Sequence, residues 1–136
     1  MDENVFRISR KPVMAKALLE MAEERLQDIK EESKPYKIIE QYYEIIKELI
    51  TSLMYLKGFK TLSHKLLIEY LEKNYKNSFD RSEFILIDDL RRLRNDILYY
   101  GKKVDVMFLR NKQSEIRLVV NKLLRVCKEE QRKGEC

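Results

Sequence analysis

The chain has 136 residues, with 28 Lys and Arg against 23 Asp and Glu, one histidine, two cysteines, three glycines and two prolines. That length fits one domain, able to bury about two thirds of its unfolded surface without disulfide or metal staples. A single histidine builds no metal-ligand cluster, no Gly-rich phosphate loop is present, and no apolar run reaches the roughly 18 to 20 residues of a membrane span, so no cofactor and no membrane are expected.

Few glycines and prolines, with 38% charged and 44% hydrophobic residues, describe a chain that is nearly all helix. Cys127 lies in an apolar helical pattern and Cys136 ends the chain, a spacing that suggests neither a disulfide framework nor a zinc site. Together with an N-terminus, "MDENVFRISRKP", that lacks the apolar core of a signal peptide, this points to a reducing, cytoplasmic setting. Residues 1–101 carry 18 cations and 18 anions, so the last 35 residues, with 10 against 5, hold the whole excess of +5. An acidic partner is therefore expected to approach the C-terminal third.

The N-terminal stretch 1–11 carries no pattern and is expected to be flexible. A first helix is predicted over about Val13 to Glu32, with Ala15, Leu19, Ala22, Leu26 and Ile29 as its apolar stripe. "SKP" at Ser33 to Pro35 breaks it. The second helix, about Tyr36 to Lys57, has two stripes, one of Ile38, Tyr42, Ile46, Leu49, Leu53 and Leu56, the other of Ile39, Tyr43, Ile46 and Ile50. So wide an apolar arc needs neighbours on more than one side. Gly58 ends it, and Ser63 or Thr61 caps a shorter third helix that begins near His64, where capping or packing is expected of the imidazole ahead of a lesser alternative, that it faces the pocket of Arg94.

Asp80 with Glu83 has the form of a capping box and opens the fourth helix, whose stripe is Leu86, Leu90, Leu93, Ile97 and Tyr100, closed by Gly101. Along it, Asp88, Arg92 and Asp96 stand four apart as a solvent-facing ladder of opposite charges. Arg94 lies off that ladder, over Leu90 and Leu98, where a guanidinium requires a partner or a ligand. The fifth helix runs from after Asp105 to about Gln131, burying Leu109, Ile116, Val120, Leu123 and Cys127, with residues 132–136 as a flexible tail. Arg110, Arg117, Arg125, Lys128 and Arg132 lie within about 60° of one line on its opposite face. Such a stripe suits either solvation or a nucleic-acid backbone. The fold expected is all-α, a single up-and-down bundle of four long helices and one short one.

"YYEIIKELITSLMYLKGFKTLSHKLLIEYL" (Tyr42 to Leu71), followed after a spacer by "LRRLRNDILYYG" (Leu90 to Gly101), resembles a HEPN domain, a small helical domain named for higher eukaryotes and prokaryotes nucleotide binding. The resemblance covers about Val13 to Arg132. In that family an Arg followed four to six residues later by His forms the active site of metal-independent ribonucleases. Many of these are toxins that dimerise across one cleft and are paired with a minimal nucleotidyltransferase antitoxin. Carried onto this chain, the resemblance implies catalytic positions at Arg94, Asn95 and Tyr99, with tyrosine where relatives have histidine. It also implies a homodimer, a possible nucleotidyltransferase partner that modifies Tyr99 or Tyr100, and RNA or a nucleotide as ligand.

Tyrosine, about one part in a thousand ionised at pH 7, is a poor base, whereas Arg94 suits a phosphate or a phosphorane. Two readings follow. One is an RNA-acting or nucleotide-binding HEPN protein whose ribonuclease chemistry lacks its usual base; the other is a non-catalytic homodimeric module that binds a nucleotide or a nucleotidyltransferase.

Overall fold

The structure, a computed structural model, describes residues 4–30 and 33–134. In chain order its elements are β1 (Val5–Arg7), α1 (Pro12–Asp28), α2 (Pro35–Lys57), β2 (Phe59–Thr61), α3 (His64–Asn74), α4 (Arg81–Tyr100) and α5 (Val106–Gly134). Four long helices and one of 11 residues make the all-α architecture, and among the described residues none is long and apolar enough to cross a membrane.

The helix signals act as their chemistry dictates. Proline occupies the first position of α1 and of α2, where its missing N–H has no intrahelical partner to lose. Ser63, not Thr61, caps α3, its hydroxyl accepting from the Leu66 N–H at 3.2 Å. The capping box of α4 closes in both directions, Glu83 N–H to Asp80 Oδ1 at 3.0 Å and Asp80 N–H to Glu83 Oε1 at 2.9 Å. Asp105 receives the Met107 N–H at 2.9 Å and starts α5.

The wide apolar arc of α2 makes it the hub: it packs against α1, α3, α4 and α5. Ile39, Tyr42, Ile46, Leu49 and Leu53 are wholly enclosed, joined by Ala15 and Ala22 from α1, Leu71 from α3, Ile87 and Leu90 from α4, and Ile116, Val120, Leu123 and Cys127 from α5. Burying such side chains stabilises the fold by roughly 1.5 to 3 kcal/mol each. The polar groups in this core are matched. Ser52 donates to the Ala15 carbonyl at 2.7 Å, and Arg25 Nε lies 3.0 Å from both oxygens of the buried Glu48 carboxylate.

Four expectations need correction. The N-terminal stretch is not wholly flexible: Val5, Phe6 and Arg7 pair antiparallel with Thr61, Lys60 and Phe59. The first helix ends at Asp28, where Ile29 turns extended, and the expected end at Glu32 lies outside the described residues. Residues 132–134 continue α5 and are no tail, while Glu135 and Cys136 also lie outside the described residues. Tyr100 is not core; it is 82% exposed, because α4 outruns its last buried stripe residue, Ile97.

β1 is held where it meets the end of α2. Gly58, with φ of 86°, caps α2 in the left-handed region, and its carbonyl accepts the Ile8 N–H at 2.8 Å. The Lys11 N–H reaches the Tyr55 carbonyl at 2.9 Å. A Cβ on Gly58 would stand 2.8 Å from the Ile8 carbonyl oxygen, so glycine is required twice over, by dihedral and by space.

Candidate phosphodiester site on helices 2, 3 and 4

Arg94 projects from α4 toward α2, its Cζ 5.7 Å from the centroid of the Tyr43 ring. That places a guanidinium over an aromatic ring, an arrangement favoured by the ring's quadrupole. On the same tyrosine, the hydroxyl lies 3.1 Å from His64 Nδ1, and the two rings stack with centroids 5.7 Å apart and planes at 27°. Three helices thus supply one cluster: Tyr43 from α2, His64 from the first turn of α3 and Arg94 from α4.

The electrostatics of this cluster follow from burial and an excess of cations. Burial pushes the Tyr43 phenol up to about 12, with Arg91 and Arg94 opposing and too weak to reverse it. The phenol is therefore protonated at every physiological pH. His64 is pushed down, first by burial and then by the positive charges of Lys47, Arg94 and Arg91, against which Glu44 pulls weakly. A neutral imidazole is the form that can accept a proton at pH 7. When Nδ1–H donates to the Tyr43 oxygen, the lone pair is left on Nε2, with the ring oriented by the phenol.

The neighbouring cations have carboxylate partners. Lys47 pairs with Glu44 at 2.8 Å, and Asp88 takes Arg91 at 2.8 Å and Arg92 at 3.1 Å. Among the described residues Arg94 forms no ion pair; its contact is the Tyr43 ring. The expected charge ladder is thus half present. Arg92 reaches Asp88, while Asp96 turns instead to Lys102 at 3.9 Å.

The structure does not bring Tyr99 to Arg94. α4 stays α-helical through Tyr100 and closes at Gly101 (φ 63°), so the loosening of the last turn that would let residues five apart converge is absent within this chain. Asn95 is half-buried beside Arg94, while Tyr99 is 71% exposed. Leu98 and Tyr100 at the end of α4 and Val106 and Met107 at the start of α5 are exposed as well.

The basic stripe of α5 is only partly a free surface. Arg110 and Arg125 are exposed, but Arg117 Nε donates to the Tyr42 hydroxyl at 2.8 Å, and Lys128 pairs with Glu23 of α1 at 2.9 Å. Two of its cations therefore fasten α5 to α2 and α1. Among the described residues no group of three or more His, Cys, Asp or Glu is placed to hold a metal ion.

Sequence reasoning placed His64 in the Arg94 pocket only as a lesser alternative and did not bring Tyr43 to either residue. Tyr43 read as core, which it is, and His64 as a capping or packing residue; it packs on Tyr43, while Ser63 is the cap. The available signal was that the chain's one histidine follows a helix-capping serine, at the end of α3 that faces the same side of α2 as Arg94. Compared with models of protein families, with curated proteins and with solved structures, the chain matches none.

Proposed function

We propose that this is a HEPN-type protein that engages RNA phosphodiesters at Arg94, with His64 from α3 standing where the missing α4 histidine would act. The observation that carries the reading is a half-buried arginine that forms no ion pair among the described residues and shares the Tyr43 ring with the chain's only imidazole, itself pushed toward the neutral form. A guanidinium in that position recognises a phosphate by charge-assisted hydrogen bonds. The chemistry within reach is metal-independent. Nε2 of His64 takes the proton of a 2′-hydroxyl, the oxygen attacks the adjacent phosphorus, Arg94 neutralises the charge gathering on the phosphorane oxygens, and the 5′-oxygen leaves as an alcohol with a proton from water, the imidazolium returning its own to solvent.

In this reading Tyr99 has no part as base. Tyr99 and Tyr100, at 71% and 82% exposure, are instead accessible to a nucleotidyltransferase partner for modification. The protein works as a cytoplasmic homodimer in such a pair. The exposed Leu98, Tyr99, Tyr100, Val106 and Met107 favour a second reading, a non-catalytic dimer module that uses this surface to hold its partner.

The test is a labelled RNA incubated, without metal, with the wild-type protein, Arg94→Ala and His64→Ala. Cleavage to 2′,3′-cyclic phosphate ends by wild type, lost by about 10²-fold or more in either variant, is expected. RNA bound but uncut by all three supports the module reading, and RNA neither bound nor cut by folded wild-type protein overturns both.

A further inference from the structure

A separate cavity lies away from Arg94. It opens where β1 meets the C-terminal ends of α2, α3 and α5, with a volume of about 730 Å3, within the range of small-molecule pockets. It shares no residue with the Tyr43 cluster. From Tyr43 to Lys57, which lines the cavity, α2 advances 14 residues, about 21 Å.

Charge and shape of the wall are specific. Arg7, Arg10 and Lys57 line it together with Glu130, the one carboxylate on it. Glu130 is already saturated: its Oε1 accepts the Tyr75 hydroxyl at 3.0 Å and approaches Lys57 at 3.5 Å, and its Oε2 takes Lys133 at 3.3 Å. Burial raises the proton affinity of Glu130, but these donors outweigh it and keep the carboxylate ionised. Arg7 and Arg10 form no ion pair among the described residues, and Arg7 lies over the Phe59 ring, 5.6 Å from its centroid. Three cations against one carboxylate leave an excess of two positive charges on the wall. The wall also carries the rings of Phe59 and Tyr70, with centroids 5.9 Å apart, alongside Ile8, Ser9, Asn74 and Tyr75.

The two arginines are positioned by backbone. β1 pairs with β2 through Arg7, the Ile8 N–H bonds to Gly58 and the Lys11 N–H bonds to Tyr55, so Arg7 and Arg10 are carried on a segment pinned at both ends. A segment fixed in this way loses little further backbone freedom when a ligand binds.

We propose that this cavity binds a phosphate monoester of a flat-ringed compound, the phosphate between Arg7, Arg10 and Lys57 and the ring against Phe59 and Tyr70. A phosphate monoester carries close to two negative charges at pH 7 and matches the excess, whereas a phosphodiester carries one. The aromatic wall stacks on a flat ring irrespective of its sequence of hydrogen-bonding groups. This proposal is independent of the reading of Arg94.

The experiment is calorimetric titration of the full chain with AMP, ribose 5-phosphate and adenosine, repeated on Arg10→Gln, the Arg7→Gln/Arg10→Gln double variant and Arg94→Ala. Arg10 is exposed, so its variant is expected to fold, checked by an unchanged melting curve. AMP is expected to bind more tightly than ribose 5-phosphate, which lacks the ring, and adenosine at least tenfold more weakly than AMP. Arg10→Gln is expected to cost about tenfold in AMP affinity, the double variant more, and Arg94→Ala nothing. Adenosine binding as tightly as AMP, an unchanged affinity in Arg10→Gln, loss of AMP binding in Arg94→Ala, or no AMP binding by wild type would each overturn the proposal.

Discussion

Gly58→Ala and Gly101→Ala form a matched pair, because both glycines cap helices with positive φ, 86° and 63°, and only one of them is crowded. At Gly101 an added Cβ meets nothing within 4 Å, so the cost is the left-handed backbone alone, about 1 to 2 kcal/mol, less the roughly 0.4 to 1 kcal/mol that alanine gains by restricting the unfolded chain. At Gly58 the same change also drives a Cβ to 2.8 Å from the Ile8 carbonyl oxygen, a backbone atom that cannot swing aside. Relief requires β1 to retreat, weakening the Ile8 to Gly58 hydrogen bond and the packing of Arg7 on Phe59, which adds about 1 to 3 kcal/mol. At about 3 to 5 °C per kcal/mol for a chain of this size, Gly101→Ala should lower Tm by a few degrees and Gly58→Ala by about 10 °C. Thermal melts followed by circular dichroism give the totals, and amide exchange at Ile8 and Lys11 localises the difference to the hairpin. Equal losses in the two variants, or an Ile8 amide as protected in Gly58→Ala as in wild type, would refute the reasoning that ties β1 to the helix cap.

His64, as the single imidazole, gives one unambiguous proton-NMR titration; its pKa should lie below the ordinary 6.5 and rise in Arg94→Ala, which removes one of the cations that lower it. Because the unfolded chain binds that proton more tightly than the fold does, this group's contribution to stability falls as pH drops through about 6.5, and His64→Gln should flatten that slope in denaturant melts at pH 5 and 7. Arg25→Ala should cost about 2 kcal/mol at pH 7, less than for a fully enclosed pair because the arginine side chain is 36% exposed. Burial raises the pKa of Glu48, with Arg25 opposing, so the carboxylate left behind can take up a proton and the loss should shrink in urea melts near pH 4.5. On heparin or RNA columns, Arg110→Ala and Arg125→Ala should leave the salt needed for elution nearly unchanged, since the reading assigns recognition to Arg94.

The helices were legible because their signals are local. The Asp80 to Glu83 box, the Ser33 to Pro35 break before α2 and the glycines closing α2 and α4 all act within one turn of where they stand. The hub role of α2 was legible from its double stripe. The pairing of β1 with β2 was not, since three residues are too few to show alternation and the partner strand lies more than 50 positions away. The site divides in the same manner. Arg94 stood out because it left the polar ladder of its own helix, whereas its companions Tyr43 and His64 come from two other helices, and no spacing along the chain records that meeting. Tyr99 was expected in the site on resemblance, and a regular α4 leaves it on the surface.

The central claim is that Arg94, and not Tyr99, is the residue that meets RNA. Equilibrium binding of one labelled single-stranded RNA to wild type, Arg94→Ala and Tyr99→Phe at fixed salt tests it most directly. The account predicts an affinity about tenfold or more below wild type for Arg94→Ala and an unchanged affinity for Tyr99→Phe. The reverse order, with Arg94→Ala binding normally and Tyr99→Phe impaired, would contradict it.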